Sequence, residues 1–462
     1  MQVRRPLYNR SRTTIGVVHF GPGAFHRAHQ AAYFDRLLAA DPRWAICAVS
    51  LKSPGVRDAL APQDGLYTLV ELGENTVLRI IGAIKELLVA PETPARVADR
   101  LAAASTRIVT LTVTEKGYCL TPSGELDLTH PDIVADIATP ERPASVIGWL
   151  VEGLARRKAA GAPPFLTLSC DNLPSNGRKL KAAVLTLARL RDPALARWIE
   201  AQARFPCSMV DSITPATDDA LRIRVAAETG LDDAWPIQRE HFRQWVIEDD
   251  LGPDRTALSV LVTLTDDVAG WERTKLRLLN GAHSTLAYVG LLRGRQSVRD
   301  AMADAPLADF VRTLMLEDIA PTVQPPAGLD VPSYIEALLE RFRNPAIDHR
   351  LSQIAWDGSQ KLPIRILATV ADALAAGRSV ERLAVPVAAW MRFVARQAGA
   401  AIVLTDPLAS QLSGLGRASG GDPVQDTARF LAFDAVFPPA LAADARFAAA
   451  VAGAYAKLPY LP

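Results

Sequence analysis

Residues 14–40 constrain the fold more than any other stretch. Thr14-Ile-Gly-Val-Val-His-Phe20 is branched and apolar, the composition of a buried strand. It runs into Gly21-Pro22-Gly23-Ala24-Phe25-His26-Arg27, and a helical pattern follows through Ala31, Phe34, Leu37 and Leu38. A strand that enters a glycine turn and leaves as a helix opens an α/β sheet. In that setting the first glycine makes the tight turn, and the second lets the backbone approach a pyrophosphate at the helix N-terminus. Gly21 and Gly23 take those places. Ala24, Phe25, His26 and Arg27 complete the loop as cofactor-binding candidates. The third glycine of the usual fingerprint is absent, and His26 stands there.

The pattern repeats. Strand candidates lie at 14–20, 44–50, 66–71, 77–84, 107–114, 165–170, 207–210 and 242–248, with Gly73-Glu-Asn75 marking a hairpin turn. Helical patterns lie near 28–40, 92–104, 145–160, 176–202 and 217–229. Such alternation predicts a Rossmann-like domain with a mostly parallel sheet over 1–268. Beyond it helical patterns dominate: 271–292, 296–316, 331–342, 346–356, 361–376, 380–397 and 423–434. A mainly α-helical domain is expected over 269–462, and 462 residues suit two domains. Glu115-Lys-Gly117 and Asp171-Asn172 directly follow strands, so they belong at the carboxyl edge of the sheet, where ligands of such sheets bind. The second strand, Trp44–Ser50, lacks the terminal acid that meets a ribose 2′-hydroxyl. Lys52 and Arg57 nearby read as solvated loop charges or as partners of a 2′-phosphate. NAD is the expected cofactor, with NADP left open.

Lys275-Leu-Arg-Leu-Leu-Asn280-Gly-Ala-His283-Ser284 sets three polar side chains in an apolar, helix-compatible run. At about 100° per residue they fall at roughly 0°, 140° and 80°, on one side. Buried polar groups need partners or a purpose. A desolvated lysine can act as a general base, and a fixed amide can hold a developing oxyanion. A solvated helix face is the plain alternative. Glu272, one turn before Lys275, either relays a proton or interacts with the helix dipole. An active site in a cleft between the two domains is the expected arrangement.

The glycine turn and the Lys-x4-Asn-x2-His spacing together resemble the mannitol dehydrogenase family of long-chain polyol and sugar-acid dehydrogenases. Leu111–Tyr118, Ser169-Cys-Asp-Asn172-Leu-Pro-Ser-Asn176-Gly177, Phe205–Asp211, Phe242–Asp249 and Asp357-Gly-Ser-Gln-Lys361-Leu-Pro-Ile-Arg365 agree with it in order. The likeness is greatest to the fructuronate reductase (mannonate oxidoreductase) branch. It implies metal-independent hydride transfer between a nicotinamide and a secondary alcohol. By resemblance Lys275 is the base, Asn172 and Asn280 the oxyanion contacts, and His283 a substrate contact, with Asp211, Lys361 and Arg365 binding substrate. Two departures stand out. Ser212 replaces an arginine usual after Asp211, and Gln353 replaces an arginine usual eight residues before the motif lysine of true mannitol dehydrogenases. The glutamine favours an acid sugar, D-mannonate and D-fructuronate being the expected pair. The alternatives are a mannitol or arabinitol 2-dehydrogenase acting on neutral polyols, and a dinucleotide-binding sensor without turnover.

Composition narrows the partners. The 51 basic and 50 acidic side chains leave a net charge of +1, with no general attraction to nucleic acid or membrane. Cys47, Cys119, Cys170 and Cys207 are far apart without a Cys-x2-Cys pair, and read as buried free thiols of a reducing compartment. His26 and His29 lack a completing ligand set, so no metal is expected. No long apolar run and no signal-like segment is found, which points to the cytoplasm. A small-molecule sugar acid or polyol is the expected partner.

Overall fold

The structure is a computed structural model that describes residues 3–73 and 75–458. The chain divides into two compact units, Met1–Ala269 and Gly270–Pro462.

The first unit is built on five parallel strands: β1 (Ile15–Phe20), β2 (Ala45–Ser50), β3 (Ile84–Val89), β4 (Ile108–Leu111) and β5 (Leu166–Ser169). Their order across the sheet is β3-β2-β1-β4-β5. β1, β2, β4 and β5 are buried at every position, as strands covered on both faces must be. β3, at the edge, carries Lys85 and Glu86, and Glu86 binds Arg96 and Arg100 of the helix Pro94–Ala102. The strand order turns back at β1, between β2 and β4, so the carboxyl end of β1 lies at the switch point where such sheets take ligands.

Two smaller sheets complete the first unit, their strands interleaved along the chain with those of the large one. Val3–Arg4, Val77–Ile81, Tyr67–Leu72 and Ile237–Glu240 form the first, and Thr263–Thr265, Gln244–Glu248 and Ser208–Asp211 the second. The run expected as a single strand over 77–84 is therefore two strands in different sheets. It breaks at Gly82, whose N–H donates to Asp35 (2.9 Å) and where a Cβ would crowd Arg10, Pro6 and Tyr8. Tyr67–Leu72 and Val77–Ile81 pair antiparallel as a hairpin; of its expected turn, Glu74 lies outside the described residues. The helix expected over 28–40 starts earlier, at Ala24, and is interrupted at His29 (φ −112°, ψ −87°) before Gln30–Leu37. The helix expected over 176–202 is two, because Asp192 ends the first and its carboxylate caps the second through Ala194 and Leu195.

The second unit is helical. Its core gathers around Glu381–Gly399 and Gly281–Leu292, with Trp390 fully buried. The first unit has its own core, holding Trp44, Trp149 and Trp245. Among the described residues no helix is long and apolar enough to cross a membrane.

Candidate functional site

At the end of β1, Gly21 adopts φ +86° and its N–H donates to Val49 O (3.0 Å). A Cβ there would fall 2.1 Å from Thr112 O, so the approach of the β4 segment excludes any side chain. Gly23 caps the short helix Ala24–Ala28, and Arg27 N–H closes back on Gly23 O (3.2 Å). A Cβ on Gly23 would meet nothing nearer than Gly21 O at 3.9 Å. The outer surface of this turn is open: Gly23 is exposed and Ala24 and Phe25 half-buried. That is the shape a pyrophosphate needs, an open turn that leads into a helix start. His26 and Arg27 differ from the other candidates. Both side chains are fully buried inside the unit. His26 stacks on His19 with ring centroids 3.3 Å apart. Arg27 donates to Trp235 O (2.8 Å) and lies over the Trp235 and Tyr67 rings. They support the turn from beneath and present no side chain to its open face. His29 pairs with Gln244 O (2.9 Å), a structural engagement.

The loops after β4 and β5 are tied together. The Asp171 carboxylate accepts from Val113 N–H (3.1 Å), Thr114 N–H (2.8 Å) and the Tyr118 hydroxyl (2.8 Å). Burial raises its pKa, against those hydrogen bonds. The neighbouring Asn176 binds Ser208 O and Ser208 N–H, fixing the start of Asn176–Arg191. Asn172 sits between these anchors and is exposed. Asp211 ends the strand Ser208–Asp211, buried and in register with Gln244. Near β2, Lys52 pairs with Asp132 (3.0 Å), and Arg57 pairs with Asp58 and Glu92.

In the second unit, Val268–Thr274 and Gly281–Leu292 are joined by a π-helical segment, Lys275–Asn280. Gly281 N–H donates to Leu276 O, five residues back. A π turn bonds residues five apart where an α turn bonds residues four apart, which brings residues five apart nearer to one side. The 140° that separates Lys275 from Asn280 on a regular helical wheel is thereby narrowed. Lys275 is 8% exposed and His283 6%, with Asn280 half-buried. Glu272, half-buried, lies on the preceding turn. His283 packs on Phe342 (4.6 Å between centroids) and edge-on against His349 (5.3 Å, 89°). Its Nε2 has no partner among the described residues, and burial holds its pKa well below the ordinary value.

Lys361 and Arg365 lie four residues apart at a second π segment, Pro363–Leu367, whose backbone runs close to Gly281. Lys361 is drawn down to about 8 by burial and then by Arg365. Arg365 donates to Ser284 Oγ (3.3 Å), its Nε has no partner, and burial lowers it to about 10. Among the described residues neither cation forms an ion pair. Gln353 is exposed on the short helix Leu351–Ile354. His349 escaped the sequence reading because a lone histidine in an irregular segment gives no periodic signal.

The four cysteines are free and buried. Spacing did not reveal that Cys119, His130 and Asp132 bring one ligand-type atom each within 4.8 Å of one another. Asp132 is paired with Lys52, and its N–H donates to His130 Nδ1 (3.2 Å), so these groups already close a helix cap and an ion pair.

A parallel sheet in this order, with an open glycine turn at its switch point, defines a dinucleotide-binding domain. The helical unit that follows carries the buried Lys275 and His283. The model of the mannitol dehydrogenase Rossmann domain matches residues 15–259, and that of the mannitol dehydrogenase C-terminal domain matches 267–459. The chain belongs to the mannitol dehydrogenase family and is an oxidoreductase. It is 42% identical to the D-mannonate oxidoreductase of Escherichia coli, over 99% of this chain and 96% of that one. It is 38% identical to a mannitol 2-dehydrogenase of Phaeosphaeria nodorum, over 92% and 79%. Among solved structures it is similar to the Pseudomonas fluorescens mannitol 2-dehydrogenase ternary complex with NAD and D-mannitol (TM-score 0.85, 39% identity, 99% and 94% covered).

Proposed function

We propose that this NAD-dependent dehydrogenase acts on an open-chain sugar acid, interconverting D-mannonate and D-fructuronate. The observation that carries the acid is the pair Lys361 and Arg365, two half-buried cations that form no ion pair among the described residues. A buried charge left unpaired is costly, and an anionic substrate offsets that cost on binding. The mannonate oxidoreductase relative supports this reading. The mannitol 2-dehydrogenases, at similar identity, support a neutral polyol as the second reading.

The open turn at Gly21, Gly23, Ala24 and Phe25 suits the pyrophosphate of NAD, whose nicotinamide accepts or returns the hydride when bound. The rest falls to the chain. In oxidation Lys275 takes the hydroxyl proton, and in reduction its protonated form returns it. The amides of Asn172 and Asn280 donate to the oxygen as charge grows on it, without changing protonation themselves. His283 and Asp211 orient hydroxyls of the substrate. Lys361 and Arg365 take its carboxylate. Glu272 passes the proton between Lys275 and solvent. The test is the loss of reduced-nicotinamide absorbance with fructuronate or fructose. Turnover of fructuronate with little of fructose is expected, and equal use of both would return the enzyme to the polyol reading.

A further inference from the structure

Around His283 three buried nitrogens, its own Nε2, His349 Nδ1 and Arg365 Nε, have no partner among the described residues. His349 is fixed by its backbone, whose carbonyl accepts from Val298 N–H (2.9 Å), and by the bridge from Ser297 to Arg350. Its ring stands perpendicular to His283, and its buried Nδ1 has no partner among the described residues. The charged and titratable neighbours it senses are Lys361 and Asp348, and His283 in turn senses His349, Arg365 and Arg341. Asp357 and Asp406 act on Lys361 electrostatically, and neither lies within ion-pair distance of it. Asp348 pairs with Arg350 (2.9 Å), and Asp406 accepts from Ser359 N–H and its hydroxyl. Lys361 has only the carbonyl of Ile354 at 3.4 Å.

We infer that His349 is a specificity-determining residue, a third donor that joins Lys361 and Arg365 in recognising a substrate carboxylate. This rests on the sugar-acid reading. A ring nitrogen that is buried and unsatisfied gains most from a charged acceptor, because a hydrogen bond to an ion outweighs one to a neutral hydroxyl. A neutral ketose, presenting a hydroxymethyl group instead, gains little from the same nitrogen. His349 thus separates acid from neutral substrates while leaving the chemistry to Lys275.

The test compares kcat/KM for fructuronate and fructose in the wild type, His349→Phe and His349→Gln. The expected result is an acid-over-neutral preference that falls about tenfold in the Phe variant, carried by KM for fructuronate rather than by kcat. Gln keeps a donor and should recover part of the preference. If the Phe variant fails to fold, a preference in the Gln variant below the wild-type value still supports the assignment. A preference unchanged in both folded variants overturns it, as does a loss shared equally by both substrates, the mark of a structural role. A wild type that shows no preference for the acid instead removes the sugar-acid reading itself, and this inference with it.

Discussion

Gly21 and Gly23 lie two residues apart and are constrained differently. Gly21 has a left-handed backbone and a carbonyl 2.1 Å from where its Cβ would be. Gly21→Ala should cost at least about 1–2 kcal/mol, seen as a lowered Tm with or without cofactor. Gly23 has room for a methyl group, so Gly23→Ala should leave Tm of the free protein nearly unchanged and weaken NADH binding in a titration. Lys275→Ala should lower kcat at least about a hundredfold, the scale of losing a general base, with NADH affinity kept. Near-normal turnover would remove the lysine from its role. Lys361 adds a pH signature. Its pKa in the folded chain is about 8, against about 10.4 for a free lysine, so the unfolded chain holds more protons between these values. Its contribution to stability therefore rises with pH through that window, while a bound carboxylate favours the charged form. KM for fructuronate should climb as pH rises past about 8, and KM for fructose should lack that limb. At this scale the glycines, the lysine and the motif polar groups were legible. The inward aim of His26 and Arg27 was not, since spacing says nothing of what lies beneath a loop.

The π turn at Lys275–Asn280 shows where periodicity misleads. A wheel drawn at 3.6 residues per turn finds the right side of the helix but leaves Lys275 and Asn280 well apart. The extra residue is invisible because nothing in Lys-Leu-Arg-Leu-Leu-Asn departs from helical composition. Inserting an alanine after Leu276, which is half-buried, should turn Lys275 by about 100° relative to Asn280 and His283. Helical circular dichroism should persist while turnover is lost, and an active insertion variant would show the alignment to be incidental. Other elements were hidden for local reasons. The strand Ile84–Val89 was missed because its edge carries charges that a neighbouring helix neutralises. The helix Ala409–Ala418 was missed because Gly414 and Gly416 argue against one. Gly416 is there for packing, as its Cβ would lie 2.7 Å from Ala398 Cβ and 2.8 Å from Val394 O.

Over the whole molecule the division into a parallel α/β unit and a helical unit followed from strand alternation that fades after the first half. The edges and small sheets did not, because pairing between distant segments is a tertiary choice. Buried histidines occur in both units. Burial lowers His19 and His29 to about 3 and also depresses His26, His283 and His349. Unfolded histidine takes up a proton near 6.5, so from there down to the folded values the unfolded chain binds more protons. Stability is full above about 6.5 and is lost as pH falls, by up to about 1.4 kcal/mol per pH unit for each histidine. Tm measured across that range should drop steeply on the acid side, and a flat profile would mean that the rings protonate in place. The separate cores supply the means to follow such unfolding. Trp44, Trp149 and Trp245 report on one unit and Trp390 on the other. Replacing Trp390 with phenylalanine would therefore remove the one fully buried tryptophan of the second unit. The difference in fluorescence between the two proteins during a denaturant ramp would then tell whether the halves come apart in one cooperative event or in sequence.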